Sequence, residues 1–180
     1  MGLERWKKIS SSPVRDNDWW TYRLDTYELP SGRTGEYHYV HTEGSSMVVP
    51  VLDDDKIVMV RQYRYLCNRE SLEFPAGGVK KGMSYRETAE KELGEEAGYS
   101  ASQMEFVGEF NPCNGVTDEI CQVFLARGLR EVQAAPDVTE QFEIIRVTPD
   151  NLDRMIASRE IWDGMTLAAW ALVRSRIRPG

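Results

Sequence analysis

Gly77-Gly78-Val79-Lys80-Lys81-Gly82-Met83-Ser84-Tyr85-Arg86-Glu87-Thr88-Ala89-Glu90-Lys91-Glu92-Leu93-Gly94-Glu95-Glu96-Ala97-Gly98-Tyr99 runs from a glycine-rich turn into a helix and out of it again. Ser84 supplies an N-cap, and Glu87 three residues on completes a capping box. Ala89, Leu93 and Ala97 recur every four residues and form an apolar stripe. Gly98 stands where a helix C-cap needs a left-handed residue. The stretch predicts a helix over Ser84–Ala97 with one buried face.

The same helix carries Glu92, Glu95 and Glu96 at i, i+3 and i+4, which stacks three carboxylates on one side. Like charges at this spacing cost a helix about 0.2–0.5 kcal/mol per pair. They also lie near the C-terminus, where the macrodipole disfavours anions. Gly94 costs about 1 kcal/mol more relative to alanine. Local rules broken together within a few residues are expected where function overrides stability. Clustered carboxylate oxygens suit hard cations such as Mg²⁺, Mn²⁺ or Ca²⁺. The competing reading is a solvated acidic face partly offset by Lys91.

Outward from the helix, the pattern is mostly β. Asp18–His41 reads as two aromatic-rich strands joined at Pro30-Ser31-Gly32. Ser46–Leu52 and Lys56–Tyr63 are β-branched runs separated by Asp53-Asp54-Asp55. Ser71–Phe74 reads as a short strand, with Pro75-Ala76-Gly77-Gly78 expected to stop regular structure. Strands return at Glu105–Glu109, Ile120–Ala126 and Phe142–Val147, and helices at Asp150–Ser158 and Thr166–Ile177. Strands flanked by helices imply a three-layer α/β/α domain with a mixed sheet, preceded by an N-terminal β segment.

The 180 residues fit one ordinary domain, with 41% hydrophobic and 28% charged residues. The net charge of −7 argues against a long polyanion, so nucleic acid is not an expected partner. No apolar stretch approaches the ~20 residues that span a bilayer, and residues 1–18 lack the apolar run of a secretory signal. Cys67, Cys113 and Cys121 show no metal-site spacing and read as free thiols in a reducing, cytoplasmic setting. His38 and His41 read as ordinary polar positions.

Gly77 through Tyr99 resembles the Nudix box, G-x5-E-x7-R-E-U-x-E-E-x-G-U, where U is bulky and apolar. Gly77, Glu92, Leu93, Glu95, Glu96, Gly98 and Tyr99 match in register. Met83 stands where the family has Glu, and Lys91 where it has Arg. In the family those two positions are expected to interact and orient the metal-binding glutamates. Arg for Lys is not a conservative exchange at a bidentate site. Arg61-Gln62-Tyr63-Arg64, Glu73-Phe74-Pro75-Ala76-Gly77, Pro112–Glu119 and Asp163-Gly164-Met165-Thr166-Leu167 resemble the branch of ADP-ribose pyrophosphatases and nucleoside-diphosphate-sugar hydrolases. The resemblance covers roughly residues 18 to 175.

The resemblance implies a Nudix-type α/β/α sandwich at residues 42–180, and an N-terminal β segment at 1–41 that dimerises and contributes to the substrate site. It implies Mg²⁺ or Mn²⁺ held by Glu92, Glu95, Glu96, the backbone carbonyl of Ala76 and a more distant Glu140. A general base often lies two residues before that glutamate. Val138 stands there, which leaves Glu140, Glu96 and Glu119 as candidates. Arg64 matches a diphosphate contact, and Arg61 is a further candidate. Glu73 matches a nucleoside contact or an arginine partner. Trp19 and Tyr37 match aromatics that sandwich the base, with Trp20 as the alternative. The implied reaction is attack of water on a phosphorus of a nucleoside diphosphate sugar. Nucleotide-sugar hydrolases of the branch tend to carry Asp-x-Lys where this chain has Asp163-Gly164-Met165, which tilts the substrate toward ADP-ribose. The other readings are a GDP-mannose-type hydrolase and a non-catalytic nucleotide-binding domain.

Overall fold

The structure, a computed structural model, describes residues 2–134 and 141–177. Hydrophobic alternation on three central strands sets the layers. These are β4 (Ser45–Pro50), β5 (Ile57–Arg64) and β9 (Cys121–Glu131). Met47, Val49, Ile57, Met59, Val123 and Leu125 point into one core. Val48, Val58, Val60, Phe124 and Ala126 point into another on the opposite side. Successive strand residues face opposite sides, so both faces of these strands are buried.

Each core is closed by helices. Ala89, Leu93 and Ala97 of α1 (Tyr85–Ala97) cover one. Leu152 of α2 (Pro149–Ala157) and Ala169, Trp170 and Val173 of α3 (Gly164–Ile177) cover the other. The arrangement is the expected three-layer sandwich. Its middle layer consists of two sheets. One has the order β7-β4-β9-β8, with β7 at Ala76–Gly78 and β8 at Tyr99–Phe110. The other runs β10-β5-β6, with β6 at Arg69–Glu73 and β10 at Glu143–Val147. The β4–β9 pair is parallel and its neighbours are antiparallel, so the layer is mixed.

A separate sheet orders β1 (Lys7–Asp16), β2 (Thr21–Glu28) and β3 (Thr34–His41). The expected pair is β2–β3, and β1 adds to it a strand the sequence pattern does not announce. Every residue of β1 is exposed, so it has no apolar face to produce alternation. Its pairing with β2 is irregular at Lys8/Ser10 and Pro13/Arg15, the latter around a proline confined to such positions.

Two further differences bear on the site. Ala76–Gly78 forms β7 against β4 despite its glycines, with Gly77 opposite Ser46. Strands β8, at the sheet edge, and β9 beside it run well beyond the segments expected from the sequence, and their outer halves pair with each other.

Candidate active site

Helix α1 starts and stops where its caps dictate. Ser84 Oγ accepts from the Glu87 amide at 3.2 Å, and Glu87 Oε2 accepts from the Ser84 amide at 2.8 Å. That backbone N–H and the Ser84 hydroxyl hold the Glu87 carboxyl below its ordinary value. Gly98 closes the helix at φ 71°. With both ends fixed, the apolar stripe sets the helix rotation, and this presses Glu96 inward to 5% exposure.

Two of the three carboxylates meet the backbone of β7. Glu96 Oε2 accepts from the Ala76 amide at 3.0 Å. Glu92 lies directly over Gly77, where any Cβ would collide with its carboxylate. This close approach explains the opening glycine of the motif. The third, Glu95, is half-exposed and receives a short ion pair from Lys91. Lys91 Nζ also stands 3.2 Å from Glu92 Oε1. Burial works against the Lys91 charge, but Glu95 and Glu92 outweigh it, so its pKa is raised.

Hard carboxylate oxygens are the donors Mg²⁺ or Mn²⁺ would take, and Glu92, Glu95 and Glu96 supply them from one helix. Among the described residues, no three His, Cys, Asp or Glu side chains converge as a ready-made metal cluster. Glu140 and Val138 lie outside the described residues.

Arg64 and Glu73 lie on adjacent strands, and their partnership is side chain to side chain. Glu73 is 2% exposed and grips the Arg64 guanidinium at two points, Nε at 2.8 Å and Nη2 at shorter range. Gln62 Nε2 adds a donor to Glu73 at 3.4 Å. This grip raises the Arg64 pKa above its ordinary value despite burial, with lesser contributions from the charges of Asp163 and Glu96. Arg64 thus sits within the electrostatic reach of the acidic helix. Arg61 is directed elsewhere: it ion-pairs with Glu143 at 2.9 Å, directly opposite on β10.

A cavity of about 440 Å³ opens beside Arg64 and Glu73, walled also by Tyr63, Tyr65, Trp162 and Asp163. Sequence reading passed over Trp162. Its ring is covered by the Arg69 guanidinium at 3.6 Å, and its N–H donates to the Glu70 carbonyl at 3.1 Å. Asp163 caps α3, accepting from the Thr166 amide at 2.7 Å and its hydroxyl at 2.8 Å. An Asp three residues before a Thr at a helix start is the signal that marks it.

The loop before β9 joins this region to the N-terminal sheet. Glu119 accepts from Ser45 Oγ at 2.5 Å. Tyr37 donates its hydroxyl to the Gly115 carbonyl at 3.1 Å, and the Val40 amide donates to the Val116 carbonyl. Trp19 is 78% exposed, and Trp20 less so at 38%. His41 meets Asp118 at 2.8 Å and His38 meets the Tyr22 hydroxyl at 2.7 Å, ordinary polar roles for both. Cys67 and Cys113 are exposed free thiols, and Cys121 is a buried one. Burial pushes the Cys121 thiol up to about 11.

The chain is 37% identical over 149 residues to a methanol dehydrogenase activator of Bacillus methanolicus, covering 82% of this chain and 80% of the relative. It is 34% identical over 148 residues to an ADP-ribose pyrophosphatase of Bacillus subtilis, covering 81% and 80%. A crystal structure of an ADP compounds hydrolase superposes with a TM-score of 0.85 at 21% identity, covering 98% of this chain and 96% of that one, which bears on the fold. Residues 42–165 match the NUDIX domain, and the chain belongs to the Nudix hydrolase family.

Proposed function

We propose that the chain hydrolyses the diphosphate bond of ADP-ribose or a related nucleoside diphosphate sugar, giving a nucleoside monophosphate and a sugar phosphate. The observation that carries this reading is the helix α1 face. Glu92 and Glu96 are seated on the β7 backbone, and the Glu96 charge reaches a guanidinium clamped by a buried glutamate. Mg²⁺ or Mn²⁺ bound there, by Glu92, Glu95, Glu96, the Ala76 carbonyl and Glu140, would lower the pKa of attacking water and neutralise phosphoryl charge.

The chain's own groups do the rest. Glu73 holds Nε and Nη2 of Arg64, which fixes the guanidinium plane and leaves Nη1 to the diphosphate. Arg61, at the same sheet end, is committed to Glu143 and adds positive charge without that freedom. A water attacks one phosphorus, the bridging P–O bond breaks, and the water's proton passes to one of Glu96, Glu119 or Glu140. Trp19 and Tyr37 take the base by stacking, worth about 1–3 kcal/mol per base.

Residues 1–41 act as a dimerisation and substrate segment, and 42–180 as the catalytic domain. Trp6, Ile9, Val14 and Trp19 are all more than half exposed on the N-terminal segment, which suits a homodimer formed through its strands. No helix among the described residues is long and apolar enough to cross a membrane. Free thiols fit a reducing compartment, and we place the protein in the cytoplasm. Methionine at 165 in place of lysine favours ADP-ribose over GDP-mannose. One observation favours a second reading, a nucleotide-binding domain without activity: Lys91 engages two of the three carboxylates.

The test is a panel of ADP-ribose, GDP-mannose, UDP-glucose, NADH and nucleoside triphosphates with Mg²⁺ or Mn²⁺, reading monophosphate release. ADP-ribose turnover is expected, and Glu96→Gln is expected to abolish it. Tight nucleotide binding without turnover of any compound would establish the second reading. Gel filtration should give twice the 20.6 kDa chain mass.

A further inference from the structure

We propose that Lys91 is a positioning residue that serves as a tethered counter-cation: its ammonium occupies Glu92 and Glu95, and a divalent metal must displace or repel it to bind. The inference rests on the reading of this helix face as a metal site. Lys91 Nζ lies 3.2 Å from Glu92 Oε1 and closer still to Glu95 Oε2. The Glu92 side chain is 13% exposed and that of Lys91 29%, so neither contact is a fully solvated surface pairing.

The helix brings Glu95 within reach of Lys91 at i, i+4 but does not by itself explain the contact with Glu92. Residues at i and i+1 do not face each other, so the Lys91 side chain bends across the helix surface to reach Glu92. Its pairing with Glu95 places lysine N-terminal to glutamate, the weaker orientation at i, i+4. The carboxylates themselves draw the ammonium in. Methionine at 83 offers it no charged partner where the family motif has a glutamate. Lysine also differs from arginine in the way this role requires: a compact charge on a flexible stem can swing away, whereas a planar fork locks onto its carboxylate. Lys91 therefore relieves repulsion among the three glutamates before metal arrives and opposes the metal when it does.

The probe is Mn²⁺ alone, titrated without substrate and followed by the electron paramagnetic resonance of the free ion. Lys91→Gln should bind Mn²⁺ on the order of tenfold more tightly, because a unit charge a few ångströms from a divalent ion is removed. Its metal-free melting temperature should fall, and saturating Mn²⁺ should restore it. Lys91→Arg, which keeps the charge on a fork that locks onto its carboxylate, should bind Mn²⁺ no more tightly than the unsubstituted protein, and tighter binding overturns the proposal. Unchanged or weaker Mn²⁺ binding in a natively folded Lys91→Gln would overturn the proposal. A second measurement needs no variant: pulse acetylation of the unsubstituted protein, read by mass spectrometry. Mn²⁺ should speed modification of Lys91 several-fold relative to exposed Lys80 and Lys81, and an unchanged ratio overturns the proposal. Failure to hydrolyse ADP-ribose would sink the proposed activity while leaving both metal readouts informative.

Discussion

Replacing Gly77 with alanine separates the two jobs a motif glycine can do. The Gly77 backbone is not in the left-handed region, so alanine there meets no conformational penalty. What it meets is Glu92, whose Oε1, Cδ and Cγ occupy the space of the new Cβ. Those atoms end a flexible side chain, so Glu92 yields before β7 does. Driving it off its rotamer costs about 0.5–1.5 kcal/mol. Against this, alanine removes unfolded-state entropy worth about 0.4–1 kcal/mol. The net change is within about 1 kcal/mol, or roughly 2–4 °C in melting temperature for a domain of this size. Turnover should respond differently. A displacement of about 1 Å at a catalytic group costs on the order of 10²-fold. Gly77→Ala should therefore fold with nearly unchanged calorimetric stability and lose about 100-fold in kcat for ADP-ribose with Mg²⁺. Full activity in this variant would refute the argument that Glu92 works from its seat on Gly77. A drop of tens of degrees would refute the claim that Glu92 is the part that moves.

Ser84→Ala removes the hydroxyl half of the capping box, leaves the backbone donor to Glu87 in place, and should cost about 1 kcal/mol in urea unfolding, with kcat little changed. Glu73→Gln takes a charge from the buried end of the Arg64 pair. It should destabilise by about 2 kcal/mol in the same assay and raise KM for ADP-ribose, since the guanidinium loses its orientation. Cys121, with a thiol pushed up to about 11 from 9.0, should stay protonated and unreactive toward a disulfide reagent at pH 8, while Cys67 and Cys113 react. Because its folded value lies above the unfolded one, its contribution to stability is complete below pH 9.0 and fades as pH rises toward about 11, which a pH series of melting curves reads.

Helix α1 was legible to the residue because every signal for it is local: caps three residues apart and a stripe at every fourth position. The alternating strands were legible at their buried cores and not at their polar ends, since period-two patterning exists only where one face is dry. Strand β1 lies at the far end of that rule, exposed on both faces. The clamp between Arg64 and Glu73 was open to two readings in the sequence, because the register that pairs β5 with β6 is set by the turn between them. Nor does the order of residues reveal that Arg61 faces Glu143, 82 positions away. Trp162 escaped notice because a single aromatic in a loop has no periodicity to mark it.

The two departures at Met83 and Lys91 weigh less on geometry than the motif alone implies. Two of the three carboxylates are seated by backbone: Glu96 by the Ala76 amide and Glu92 by the bare Cα of Gly77. Those backbone atoms belong to β7, which is held in place by hydrogen bonding to β4, the strand most deeply placed between the two cores. To that backbone support Lys91 adds a side-chain contact with Glu92 at 3.2 Å. A substitution at either position therefore alters the charge balance around the glutamates while their seats persist. Metal affinity is then the property these two positions are free to tune, and Glu95, which Lys91 holds at shorter range than Glu92, is the carboxylate through which the tuning acts most directly.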